Sequence, residues 1–136
     1  MVVEKRLTNQ YTLYINMKTK TFFSEFQSDV AVAILSKEDF RYDVLKPLFD
    51  ICGFGFADTN TGCVFIDGGI KLTKDELKWV EAHEVAHILL KHTKDRNDSD
   101  ELDADTLAYK LLSENGYDKA AQLVKDKSIE RHGNQI

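Results

Sequence analysis

Thr73-Lys74-Asp75-Glu76-Leu77-Lys78-Trp79-Val80-Glu81-Ala82-His83-Glu84-Val85-Ala86-His87-Ile88-Leu89-Leu90-Lys91-His92 is the stretch on which the fold turns. Thr73 followed three residues later by Glu76 has capping-box form: a hydroxyl and a carboxylate satisfy N–H groups that a helix start leaves without partners. The pattern predicts a helix from about Asp75 to His92. Its apolar residues, Leu77, Trp79, Val80, Ala82, Val85, Ala86, Ile88, Leu89 and Leu90, lie on nearly all sides, which marks a central buried helix. Polar side chains on such a helix need partners, and His83, Glu84 and His87 stand out.

A spacing of four puts His83 and His87 on one face, one turn apart. Two neutral imidazoles can then reach one zinc ion at about 2.0–2.1 Å. Glu84 is rotated by about 100° from His83. It is placed to take a proton from the water that zinc acidifies, which is the geometry of a general base. A catalytic zinc takes three protein donors, so a third is expected downstream. His92 follows His83 by nine residues, about 180° round a continuing helix, and is expected to face away. Glu101, at the start of the next helix, is the better third donor once the polar loop 93–97 lets that helix pack back. Glu101 could instead be a cap glutamate three residues after Asp98. Asp105 lies one turn beyond Glu101 and can take the outer N–H of a ligand histidine, or be a solvated acid. Tyr109 continues that face, with core packing as the plainer reading.

Outward from this stretch, Cys63-Val64-Phe65-Ile66 reads as a strand closed by the turn Asp67-Gly68-Gly69. A helix is predicted from Asp98 or Ser99 to Leu112, stopped by Gly116, and another over about Asp118–Asp126. In the N-terminal half, Tyr11–Ile15 and Thr21–Phe23 suggest a hairpin. Asp29–Leu35 and Glu38–Ile51 read as helices, the second kinked or ended by Pro47. The chain has 136 residues, 43% hydrophobic and 30% charged, which suits one domain over 1–136 with a single core. Its net charge of -5, with no basic stripe, argues against nucleic acid as a partner. No apolar run reaches membrane-spanning length, and the N-terminus carries no signal-like segment. No membrane partner and a cytoplasmic location are expected. Cys52 and Cys63 fit no metal-ligand spacing and are expected to be reduced packing residues. His132, in a polar tail, is expected to be exposed.

At these residues the chain resembles the gluzincin metallopeptidases, and most closely the M48 family. The similarity runs from about Gly62 to Val124. Gly62-Cys63-Val64-Phe65-Ile66 resembles the strand before the active-site helix. His83-Glu84-Val85-Ala86-His87, with His92 as a frequent non-ligand histidine, is similar to that helix. Glu101-Leu102-Asp103-Ala104-Asp105 looks like the glutamate-helix motif, and Asn115–Ala121 like the turn after it. The chain departs from that family in its small size, in its short segment between His87 and Glu101, and in lacking a clean Asn-Ala-Phe element, of which Asn60 is the nearest trace. In its compactness it is also similar to minimal gluzincins and to ImmA/IrrE-type peptidases.

The resemblance implies an α+β, zincin-like fold: a small N-terminal sheet with helices, an active-site helix and a glutamate helix. It implies a zinc-dependent endopeptidase with His83, His87 and Glu101 on Zn2+, Glu84 as base and Asp105 supporting a ligand histidine. A peptide or protein substrate would lie antiparallel to an edge strand at Val64, Phe65 and Ile66. Tyr109, Tyr117 and His132 are candidates for stabilising the oxyanion. The rival readings are a latent or weakly active zinc-binding regulatory or partner-binding domain, with the tail 126–136 in the cleft, and a binding module with structural zinc. Glu84 disfavours the last, since a structural site needs no base and fills its positions with protein donors. Substrate preference and oligomeric state are not legible in the sequence.

Overall fold

The computed structural model describes residues 19–93 and 96–133. Within them the fold is α+β, a four-stranded mixed sheet with four helices. The apolar run Ala31–Leu35 is strand β2, not the helix its composition suggested. A strand buried on both faces reads as an unbroken apolar run, so periodicity cannot separate it from a buried helix. Its length, and the β-branched Val30, Val32 and Ile34, were the better guides.

Strand β1, Lys20–Phe23, is exposed along its length and pairs antiparallel with β2, from Lys20 opposite Ile34 to Phe23 opposite Ala31. It contains Thr21–Phe23, one of the two stretches expected to pair as a hairpin; the other, Tyr11–Ile15, lies outside the described residues. Helix α1 spans Tyr42–Cys52, starting four residues later than Glu38. The delay has a local cause. Ser36 and Asp39 make turns there, and the Asp39 carboxylate accepts from the Arg41 backbone and guanidinium. Pro47 sits inside α1 without ending it; Gly53, at φ 94°, does.

Strands β3, Gly55–Asp58, and β4, Cys63–Asp67, complete the sheet in the order β1-β2-β4-β3. β2 and β4 are parallel, β4 and β3 antiparallel. Val64–Ile66 therefore lies in an interior strand, paired on both sides, and is not the expected edge. No strand was expected over 55–58, yet β3 lies there and is the edge on that side among the described residues. Gly55 is required there: a Cβ would sit 2.8 Å from the Phe65 carbonyl oxygen and 2.9 Å from a Val80 methyl.

Alternation along the strands builds two cores. Ala33, Leu35, Phe65 and Phe56 face α1, packing with Tyr42 and Phe49. Val32, Val64 and Ile66 face the other helices. These are α2, Lys74–Leu89; α3, Asp98–Glu114; and α4, Asp118–His132. The capping box at Thr73 and Glu76 forms as expected. From Val80 to His87 every residue of α2 is buried. α2 ends at Leu89, not His92, because Lys91 adopts a left-handed φ of 58°. The backbone N–H groups of Lys91 and His92 then bond the carbonyls of Ile88 and His87, a Schellman closure. α3 ends in the same motif with Gly116 at the left-handed position. α4 runs to His132 before Gly133, so the polar residues after Asp126 extend a helix. Among the described residues no helix is long and apolar enough to cross a membrane.

Candidate metal centre

The packing of α3 against α2 depends on how α3 begins. Its N-cap is Asn97, whose side chain accepts from the Asp100 N–H at 2.9 Å, while Asp100 reaches back to the Asn97 N–H. Asp100 thus fills the capping role that Glu101 could have taken. Glu101 turns instead towards α2, with one carboxylate oxygen 3.2 Å from His83 Nε2 and the other 3.3 Å from His87 Nε2. The two Nε2 atoms are 3.1 Å apart. Donors at about 2.05 Å from a common ion in tetrahedral directions stand about 3.3 Å from one another. These separations fit that arrangement, and His83, His87 and Glu101 form a group that can hold a metal ion.

The outer ring atoms explain why lone pairs face inward. Asp105, fully buried on α3, lies 2.9 Å from His83 Nδ1. A carboxylate only accepts, so Nδ1 carries the hydrogen and Nε2 keeps its lone pair in the neutral ring. Asp105 also accepts from Arg131 Nη2 and has His132 Nε2 at 3.5 Å. Both side chains come from the end of α4. His132 is therefore mostly buried rather than exposed. On the other histidine, His87 Nδ1 is 2.9 Å from His92 Nδ1. The Schellman closure swings His92 back onto His87, against the expectation that it faces away. Its Nε2 lies 3.5 Å from Asp100.

The charges fit a site built around a cation. Burial disfavours the His83 imidazolium, but bonds from Asp105 and Glu101 outweigh it and push the ring up to about 9. Burial, aided by the neighbouring His83 charge, holds His87 down. Burial would raise Glu101, yet its contacts to both rings bring it well below the usual carboxylate range. The two Nε2 atoms and the Glu101 carboxylate converge as acceptors for which a proton and a metal ion would compete.

Glu84 is buried beside this group, and its Oε1 has no hydrogen-bond partner. Burial and the Glu101 charge raise its pKa, opposed by His83, Arg96 and Arg131. Two adjoining cavities open here. One is lined by His83, Glu84 and Glu101 with Gly53, Phe54, Gly55 and Trp79; the other by the same three with His87, Ile51 and Arg96. Cys52 and Arg131 line both, and Cys52 is exposed rather than packed away. The cleft is bordered by the start of β3, not by Val64, Phe65 and Ile66.

Other expected residues lie elsewhere. Tyr109 packs against the core and lines neither cavity. The Tyr117 hydroxyl donates to Glu25 at 2.6 Å, away from the cluster. Arg96, Arg131 and the placement of His92 were missed. Arg131 and His132 could have been found only by extending α4 through the polar stretch after Asp126. Comparison of the chain with protein families, curated proteins and solved structures finds no match.

Proposed function

We propose that this chain is a zinc-dependent endopeptidase of gluzincin type on a zincin-like fold. One observation carries the reading: both Nε2 atoms and the Glu101 carboxylate converge at 3.1–3.3 Å, with the unbonded Oε1 of buried Glu84 beside them. Two imidazoles and one carboxylate suit zinc and leave a position for water and substrate. When bound, zinc supplies a Lewis acid that polarises a carbonyl and acidifies a water.

This chain's residues do the rest. Glu84 takes a proton from the attacking water and returns it to the amine nitrogen as the C–N bond breaks. Its raised pKa makes it a stronger base than an ordinary carboxylate. Asp105 holds His83 in one tautomer, and Arg131 holds the Asp105 side chain in place. Gly55, at the start of β3, an edge strand among the described residues, lines the cleft, so an extended peptide pairing with that edge would lie across it. The substrate is therefore a peptide, and β3 takes the part that the family resemblance suggested for Val64–Ile66.

Elemental analysis of wild type, Glu101→Ala and Glu84→Gln at neutral pH tests the reading. One zinc per chain in wild type and in Glu84→Gln, with little in Glu101→Ala, is expected, as is peptide cleavage by wild type alone. No zinc in wild type after reconstitution refutes it. Zinc without cleavage of any peptide would favour the regulatory domain of the same fold.

A further inference from the structure

We infer that the cavity beside the cluster carries a carboxylate-binding subsite built on Arg96, so that preferred peptides bear a carboxylate near the bond that is cut. This inference rests on the peptidase reading. Arg96 lines the cavity together with His83, Glu84, His87 and Glu101. Its Nη2 donates to the Ala57 carbonyl at 3.4 Å, on β3, an edge strand of the sheet among the described residues. Its Nε is buried and has no acceptor among the described residues. The Nε–H and an adjacent Nη–H of a guanidinium form a planar fork that matches the two oxygens of a carboxylate. A backbone carbonyl can satisfy one of those donors, a carboxylate both.

The second guanidinium of the cavity, Arg131, is already bonded to Asp105, so it adds charge rather than a free fork. Two arginines in one cavity wall are unusual in a chain of net charge -5. They face two carboxylates there, Glu84 and Glu101, so a bound dication would leave the cavity lining net positive. The contact to Ala57 also ties Arg96 to the strand along which an extended peptide would lie. The carboxylate has two sources, an acidic side chain within the peptide or a free C-terminus.

Fluorescence anisotropy with the zinc-loaded Glu84→Gln protein, which holds peptide without cutting it, separates them. Labelled peptides are compared in pairs, Glu against Gln within the chain and free acid against amide at the C-terminus. About tenfold tighter binding of the carboxylate in one pair is expected, and that pair identifies the source. Arg96→Gln should abolish the preference at unchanged zinc content. Arg96→Glu should shift it towards peptides carrying Lys, which a merely structural Arg96 would not do. Equal binding within both pairs, a preference that survives Arg96→Gln, or no binding of any peptide overturns the subsite. Cleavage of neutral peptides by zinc-loaded wild type with no carboxylate preference overturns the subsite alone. Absence of zinc from wild type overturns the peptidase reading itself.

Discussion

Asp105→Asn removes one charge from a fully buried position while keeping the shape of the side chain. Asp105 takes the His83 Nδ1 hydrogen at 2.9 Å and faces Arg131. A hydrogen bond to a charged group is worth about 1.5–3 kcal/mol and a neutral one about 1. If the amide oxygen faces His83, the substitution forfeits about 1–2 kcal/mol of ring positioning. If the amide nitrogen faces His83, it donates to Nδ1, moves the ring hydrogen to Nε2 and removes the lone pair a metal needs. Zinc affinity should fall about 10-fold in the first case and about 100-fold in the second, the range typical of such supporting groups. Competition against a chromophoric chelator reads this directly, with circular dichroism to verify folding. An affinity within about twofold of wild type, in a folded protein, would refute the argument that Asp105 sets the His83 tautomer.

Three further outcomes follow from particular contacts. Asp39 is held down to about 2 against an ordinary 3.8 by its hydrogen bonds to Arg41, which outweigh burial. Its stabilisation is complete above the unfolded value and is lost as pH falls through about 4 to 2. Urea melts should show about 1–2 kcal/mol of that loss missing in Asp39→Asn, after allowing for the partly open Arg41; an unchanged acid limb would count against the pair. Lys91→Gly should stabilise the fold by up to about 1 kcal/mol, because a left-handed φ of 58° strains a side-chain-bearing residue. Lys91→Val should do the reverse, and denaturant midpoints that move together would contradict the closure described. Although Cys52 is exposed, partial desolvation at the cavity wall, with the Glu84 charge, raises its thiol, so maleimide should react with it more slowly than with free cysteine at neutral pH. A bulky adduct there should depress peptide cleavage in wild type and not in Cys52→Ser, and undiminished cleavage after full labelling would remove Cys52 from the substrate path.

Legibility in the sequence followed how local the deciding interaction was. The α2 start was readable because Thr73 and Glu76 settle it between themselves. The convergence of His83, His87 and Glu101 was readable from helical spacing and one short connection. β2 was misread because its two-sided burial is a property of the finished sheet. The interior place of β4 was hidden for the same reason: only the pairing of β3, itself unrecognised, removes its free edge. His92 was misplaced by a single backbone angle at Lys91, a residue whose type does not announce a left-handed turn. Arg131 and His132 reach Asp105 from the far end of α4, a distance in sequence that no short-range pattern spans.

The Asn97 cap and the Lys91 closure bound a short helix–loop–helix unit in which His83, His87 and Glu101 all reside. The sheet instead needs Ala31–Leu35 to find Cys63–Asp67 across an intervening helix and strand. Closing the shorter loop sacrifices less chain entropy, so the metal donors can gather before the strands register. A metal ion present during folding would then act as a nucleus. It would speed refolding as well as slow unfolding, and the order of assembly would run from the chemistry outward to the scaffold.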